Sequence, residues 1–193
     1  KNIRLMPRPI QSPHPPIWIG AGAPKAIERA GRMGCHFQSL ASPQAQKIYD
    51  DSLRKAGRDP KNFHAAQLHF TYVGRTTDEA WEHCQEHLHY MITWYTRWLT
   101  EANDFDGSGG ADWTARAPKI PEPSKLRDSQ SIFPLVVGSP EDVAAKLNKS
   151  FNEVRTTDLV VAMHLPGIAP ERSRRSMELF AREVAPHLKP VAS

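Results

Sequence analysis

The residues best suited to chemistry lie near the start of the chain, in Gly20-Ala21-Gly22-Ala23-Pro24-Lys25. Gly20 and Gly22 lack a Cβ, so the backbone there can turn sharply and approach a ligand closely. Pro24 suits the first position of a helix, where a missing N–H costs nothing. Such a helix start presents unpaired N–H groups and a partial positive charge, and Lys25 adds a full one. A phosphate fits this place. An ordinary strand-to-helix turn with no ligand reads the same way, because such turns favour Gly and Pro. A dinucleotide fingerprint would need a third glycine where Lys25 stands, so that motif is incomplete.

Other residues that could do chemistry are scattered. His83-Cys84-Gln85-Glu86-His87 has the spacing of an inverted zinc-peptidase motif, but no third ligand accompanies it and no metal site is assigned. His164 follows the last apolar strand and is expected to line a substrate pocket, whereas His36, His64 and His69 read as sheet residues. Cys35 and Cys84 sit in apolar surroundings and are expected to be reduced, buried thiols. Trp94 and Trp98, one turn apart, are expected to pack on the irregular segment or on a partner. Arg172 to Arg175, broken by Ser173, read as a solvated helix face. No triad and no paired carboxylates stand out, so no catalytic residue is assigned.

The elements that must position these groups alternate. Residues 1–15 carry Pro7, Pro9, Pro13 and Pro15 and form an extended lead-in. Ile17-Trp18-Ile19 is a short apolar strand, expected to be covered on both faces, and a helix follows to about Met33 and stops at Gly34. A second strand runs from about His36 to Ala41. Ser42-Pro43 then caps a helix with Ala45, Ile48, Tyr49, Leu53 and Ala56 on one stripe. Ala65 to Val73 is a third strand. Thr76 and Glu79 open the longest helix, whose stripe is Ala80, Trp81, Cys84, Leu88, Met91, Ile92, Tyr95 and Leu99. Residues 102–135 break regularity with glycines and prolines, as a lid would. Ser139-Pro140 starts another helix, residues 157–163 form the last strand, and Pro170 starts a helix with a stripe of Met177, Phe180, Ala181, Val184 and Leu188.

This alternation predicts one α/β domain over residues 1–193 with a parallel sheet of about four βα units. The units occupy residues 16–101, and a final helix-strand-helix occupies 136–193. Ligands gather at the C-terminal ends of parallel strands, here Gly20 to Ala23, Gln38 to Ser42, Gly74 to Thr76 and His164 to Gly167. With 193 residues, 39% hydrophobic and 24% charged, the chain can bury a core. A net charge of +4, spread without aromatic interleaving, argues against nucleic acid. No apolar run spans a membrane and the N-terminus has no signal-like segment, so a cytoplasmic protein is expected. The proline-rich start without a methionine suggests the middle of something larger.

Three segments carry a resemblance to the C-terminal half of the bacterial-luciferase-like flavin monooxygenases, which are (β/α)8 TIM-type barrels. Arg4 to Gly20 resembles their connector and fifth strand, Val137-Gly138-Ser139-Pro140-Glu141-Asp142-Val143 their G-[ST]-P-E-x-V helix opening, and Leu159 to Gly167 with Ser176 to Val184 their last strand and helix. The resemblance implies a flavin, FMN or alternatively the deazaflavin F420, with its phosphate on Gly20, Ala21, Gly22, Ala23 and Lys25. It implies reduced flavin and O2 acting on a small organic substrate, with a flavin reductase as the source of reduced flavin. Members often place a hydroxyl residue on the phosphate turn, where this chain has Ala21 and Ala23. Half a barrel leaves sheet edges open, so a separate N-terminal half or a second copy of the chain is expected as partner. The alternative is a non-catalytic half-barrel, a structural or regulatory partner that binds no flavin.

Overall fold

The computed structural model describes residues 6–12, 14–101, 119–129, 131 and 133–189. In chain order the elements are β1 (Trp18–Gly20), α1 (Pro24–Met33), β2 (His36–Ser39), α2 (Pro43–Lys55), β3 (Ala65–Val73), α3 (Thr77–Glu101), β4 (Leu135–Gly138), α4 (Pro140–Glu153), β5 (Asp158–Ala162) and α5 (Pro170–Leu179). The helices start where the sequence provides caps. Ser42 Oγ accepts from the Ala45 N–H at 3.2 Å, and Ser139 Oγ accepts from Asp142 at 3.3 Å, each ahead of a proline at the first turn. Thr76 Oγ1 accepts from Glu79 N, while Glu79 reaches back to the Arg75 N–H at 2.7 Å. Gly34 closes α1 at φ 70°, a conformation that costs glycine nothing.

All strand pairs are parallel, and β3 is their hub. Ala65–Gln67 pairs with β2, Phe70–Val73 with β4, and Ala66–Phe70 with β5. Ala66, Gln67 and Phe70 are each paired twice, so β5 lies on one edge of β3 while β2 and β4 share the other, end to end. The order across the sheet is therefore β1-β2-β3-β5, and the outer edges of β1 and β5 have no strand among the described residues. The four-residue β4 is absent from the sequence reading, because a short run after Pro134 resembles the end of a loop. It forms because β2 stops at Ser39 and leaves the upper edge of β3 free.

The sheet is not covered evenly. One face packs Ile19 and Phe37 on α1 and α2, and Val73, Val136, Leu159, Val161 and Met163 on α4 and the segment after α5. Among the described residues the opposite face is covered only toward the C-terminal end of β3, where Tyr72 and Val137 meet Ala80, Trp81, Cys84 and Leu88 of α3. Elsewhere it is open: Trp18 keeps 40% and Val160 37% of its surface. The expectation that β1 is buried on both faces is thus corrected, since only the Ile19 side meets helices. The stripe expected for the last helix holds in part: Val184 is buried, with Phe180 and Leu188 packed beside it, whereas Met177 and Ala181 are exposed. Within α5 the buried residues are Ser173 and Ser176, whose small side chains let the helix approach the sheet closely. Ser176 Oγ accepts the Val73 N–H at 2.7 Å, a ladder position that β5 leaves vacant by ending at Ala162. The lid expectation for residues 102–135 falls largely outside the described residues; its described part contains a short 3-10 turn at Pro123–Asp128 and joins β4.

A polar group sits at the centre of the covered face. Gln67 is buried and its amide donates to Val154 O at 3.2 Å and to Thr156 Oγ1. Its Oε1 accepts from Ser150 Oγ at 2.6 Å and from His69 Nε2 at 2.9 Å. The proton on Nε2 leaves His69 Nδ1 buried with no partner. Burial holds the His69 pKa down at about 4, against 6.5 for the free group. The unfolded chain therefore binds a proton between these values that the folded chain refuses. This contribution to stability is complete above pH 6.5 and is lost as pH falls toward 4. Urea midpoints should drop on going from pH 7 to pH 5 by the equivalent of about 1–2 kcal/mol. His69→Gln should flatten that slope, and an unchanged slope in the variant would rule His69 out as its source.

Candidate functional site

The turn after β1 brings Gly20, Ala21, Gly22, Ala23 and Lys25 together at the C-terminal edge of the sheet. Ala23 has extended backbone angles and gives α1 no side-chain cap. Its carbonyl accepts from Ala26 and Ile27 at 2.9 and 3.1 Å, and Pro24 has no N–H, so the Lys25 N–H is the first-turn donor left over. No acidic residue lies in that first turn. A Cβ added at Gly20 or Gly22 would meet nothing within 4 Å, so space lies open above the backbone. Gly22 and Lys25 are exposed, while Ala21 is half-buried against Ile27 and Phe37 and anchors the turn to the core. An uncapped helix start, an open backbone cradle and a lysine suit a phosphate group.

Contacts below fix the position of α1, and with it the turn. Gly31 lies directly on α2: an added Cβ would come within 2.7 Å of Ser52 Cβ. Ser52 Oγ donates to Glu28 O at 2.7 Å, and Tyr49 donates to Cys35 O at 2.8 Å while its ring stacks on Phe37. Burial raises the Tyr49 pKa, so it remains a donor at every physiological pH. Arg155 joins this layer to the strand that follows it, donating to Asp50 at 2.7 Å and to Phe63 O at 3.0 Å.

The neighbouring turn, after β2, holds Ala41 at φ 53°. A non-glycine residue there costs on the order of 1–2 kcal/mol, and no feature of the sequence marks it. His164 lies two residues beyond the end of β5, at the same end of the sheet, and is exposed, with Nδ1 hydrogen-bonded to Ser173 Oγ of α5 at 2.9 Å. His83 and His87 point to separate partners, His83 toward the Tyr72 hydroxyl at 3.5 Å and His87 to Pro166 O at 2.9 Å. Among the described residues no group of three or more His, Cys, Asp or Glu is arranged to hold a metal. His36 and His64 lie at the opposite end of the sheet, ring to ring at 4.8 Å under Trp18, and His64 pairs with Asp158 at 2.8 Å. Burial, aided by the charge of His64, holds the His36 pKa down against the pull of Asp158. Cys35 and Cys84 are free and buried, and burial pushes the Cys84 thiol up to about 12. Trp94 and Trp98 form an aromatic row with Tyr90 and Tyr95 on the exposed side of α3. No described helix is long and apolar enough to cross a membrane.

A family model described as luciferase-like monooxygenase matches residues 1–157. The chain belongs to that family. Its sequence is similar to the oxygenase component of a flavin-dependent trigonelline monooxygenase from Acinetobacter baylyi, 23% identical over 189 residues, covering 93% of this chain and 50% of the relative. Its fold is similar to that of the oxygenating constituent of 3,6-diketocamphane monooxygenase from Pseudomonas putida, solved in complex with FMN. The TM-score is 0.64 at 23% identity, covering 90% of this chain and 48% of that one. The coenzyme F420-dependent tetrahydromethanopterin reductase of Methanopyrus kandleri is similar with a TM-score of 0.60 at 18% identity, covering 90% and 51%. The chain thus spans about half the length of these family barrels, in keeping with a parallel sheet open along two edges. Gly31→Val should lower stability by about 1–3 kcal/mol through overpacking against Ser52. Urea unfolding at pH 7 measures this, and a midpoint equal to that of the parent would mean that α1 and α2 are not held at Gly31.

Proposed function

We propose that this chain is the phosphate-holding C-terminal half of a flavin-dependent monooxygenase, with FMN as the ligand and F420 as the alternative. The turn Gly20, Ala21, Gly22, Ala23 and Lys25 carries the reading, because it is open, uncapped and basic in a chain of this family. Backbone N–H groups of the turn and the Lys25 ammonium would hold the phosphate, and no hydroxyl side chain is available there. When bound, reduced flavin supplies the electrons for O2 activation. The contribution of this chain is to anchor the phosphate and to wall one side of the site with the C-terminal ends of its strands. His164, tied to Ser173, lines the pocket for a small organic substrate. The relative described as an oxygenase component supports a separate flavin reductase as partner. The open edges of β1 and β5 and the exposed Trp18 and Val160 support a second half, from another chain or another copy, that completes the barrel.

Titration of the purified chain with oxidised and reduced FMN, with its mass in solution recorded in parallel, tests the reading. Saturable binding is expected from an assembly larger than one chain, and Gly22→Asp should abolish it by placing a carboxylate at the phosphate without disturbing any neighbour. A folded chain that binds neither FMN nor F420 would overturn the proposal. The alanines at positions 21 and 23 favour one other reading in that event, a half-barrel that supports a partner without binding flavin.

A further inference from the structure

Arg172, Arg174 and Arg175 are exposed on α5 as a solvated face would be, and two of them also border a concavity. Arg172, Arg175 and Arg182 line a cleft of about 550 Å3 between α5 and the start of α3, and Arg75 enters it from the turn after β3. The spacing accounts for this: residues three and seven positions beyond Arg172 or Arg175 recur on one side of a helix. Arg174 falls on another side and is not in the lining. The small Ser173 and Ser176 set α5 close to the sheet, so the arginines project over the end of β3 rather than away from it.

The charge in this cleft is unbalanced. Arg75, Arg172 and Arg175 have no carboxylate within ion-pair distance among the described residues, and Arg182 meets only Glu183 at 3.3 Å. Glu79 lies in the cleft but is engaged as the cap of α3, which leaves Glu178 as the other lining acid. The charges of Arg172 and Arg175 reach the buried Tyr72 hydroxyl at the cleft floor. There burial raises the pKa and the two guanidiniums pull against it. Gathering like charges from two separate elements around one concavity is unfavourable unless an anion neutralises them. Arg172 and Arg175 come from α5 and Arg75 from the turn after β3, so cations border the cleft from two separate elements.

We propose that this cleft binds a small molecule bearing a diphosphate. The guanidiniums of Arg172 and Arg175 take one phosphate and Arg75 the other, through charge-assisted and bidentate hydrogen bonds. Glu178 stands where a hydroxyl attached to the diphosphate can donate to it. The site is separate from the turn after β1 and does not depend on flavin binding there.

Isothermal titration of the purified chain with inorganic pyrophosphate, ADP and orthophosphate tests this. Saturable one-to-one binding of pyrophosphate and ADP is expected, at least tenfold tighter than orthophosphate and weakening as salt rises. The double variant Arg172→Gln/Arg175→Gln, checked for folding by circular dichroism, should lose it at least tenfold. Arg174→Gln removes the same kind of charge from outside the cleft and should leave it unchanged, as should Gly22→Asp. An equal loss in Arg174→Gln would reduce the effect to overall charge and overturn the proposal. So would the absence of pyrophosphate binding, or binding that survives the double variant. Loss in Gly22→Asp alone would assign the diphosphate to the turn after β1 instead.

Discussion

The rest of the structure depends on the pairing of β3. Its nine residues carry β2 and β4 on one edge and β5 on the other, and β1 reaches the sheet only through β2. Parallel strands need long crossovers, so each pairing commits a helix to one face and places every βα turn at the same end. The buried amide of Gln67 ties the hub to the end of α4 through Ser150, Val154 and Thr156. A polar group so deep is tolerated because its hydrogen bonds are made, and the neighbouring His69 bears the remaining cost by staying neutral.

The turn proposed to hold a phosphate is made of backbone rather than side chains. Alanine and glycine contribute no functional groups, so an anion there would be held by unpaired N–H groups, the helix dipole and one lysine. Such a site is only as well placed as its helix, which explains the investment in the α1–α2 contact. Gly31 against Ser52, Tyr49 to Cys35 and Arg155 to Asp50 are contacts of a layer that touches no ligand and still decides where the turn sits.

The two faces of the sheet differ in what they require. The face against α1, α2 and α4 is closed by this chain's own helices, whereas the other is roofed, among the described residues, by α3 together with Leu126, Phe133, Leu165 and Ile168, and Trp18 and Val160 are partly bare. Both outer strand edges carry no strand among the described residues. Family membership and the coverage of about half of each relative fit this uneven covering.

The sequence by itself determined the local structure and the family. Caps at Ser42, Thr76 and Ser139, stops at Gly34, and the apolar periods of α2 and α3 are local signals, and local hydrogen bonds and packing honour them. The turn from Gly20 to Lys25 was legible for the same reason, since glycine, proline and a helix start act within a few residues. What depends on distant partners was not. The strand β4 exists because β3 offers a free edge some sixty residues earlier, Ala41 takes a strained angle that its own residue type disfavours, and β1 is bare on one face. The run at Arg172 looked like solvated charge because periodicity gives a helix its sides but not its neighbours. Only the tertiary structure, by seating α5 on two serines beside β3, turned that side into the wall of a cleft.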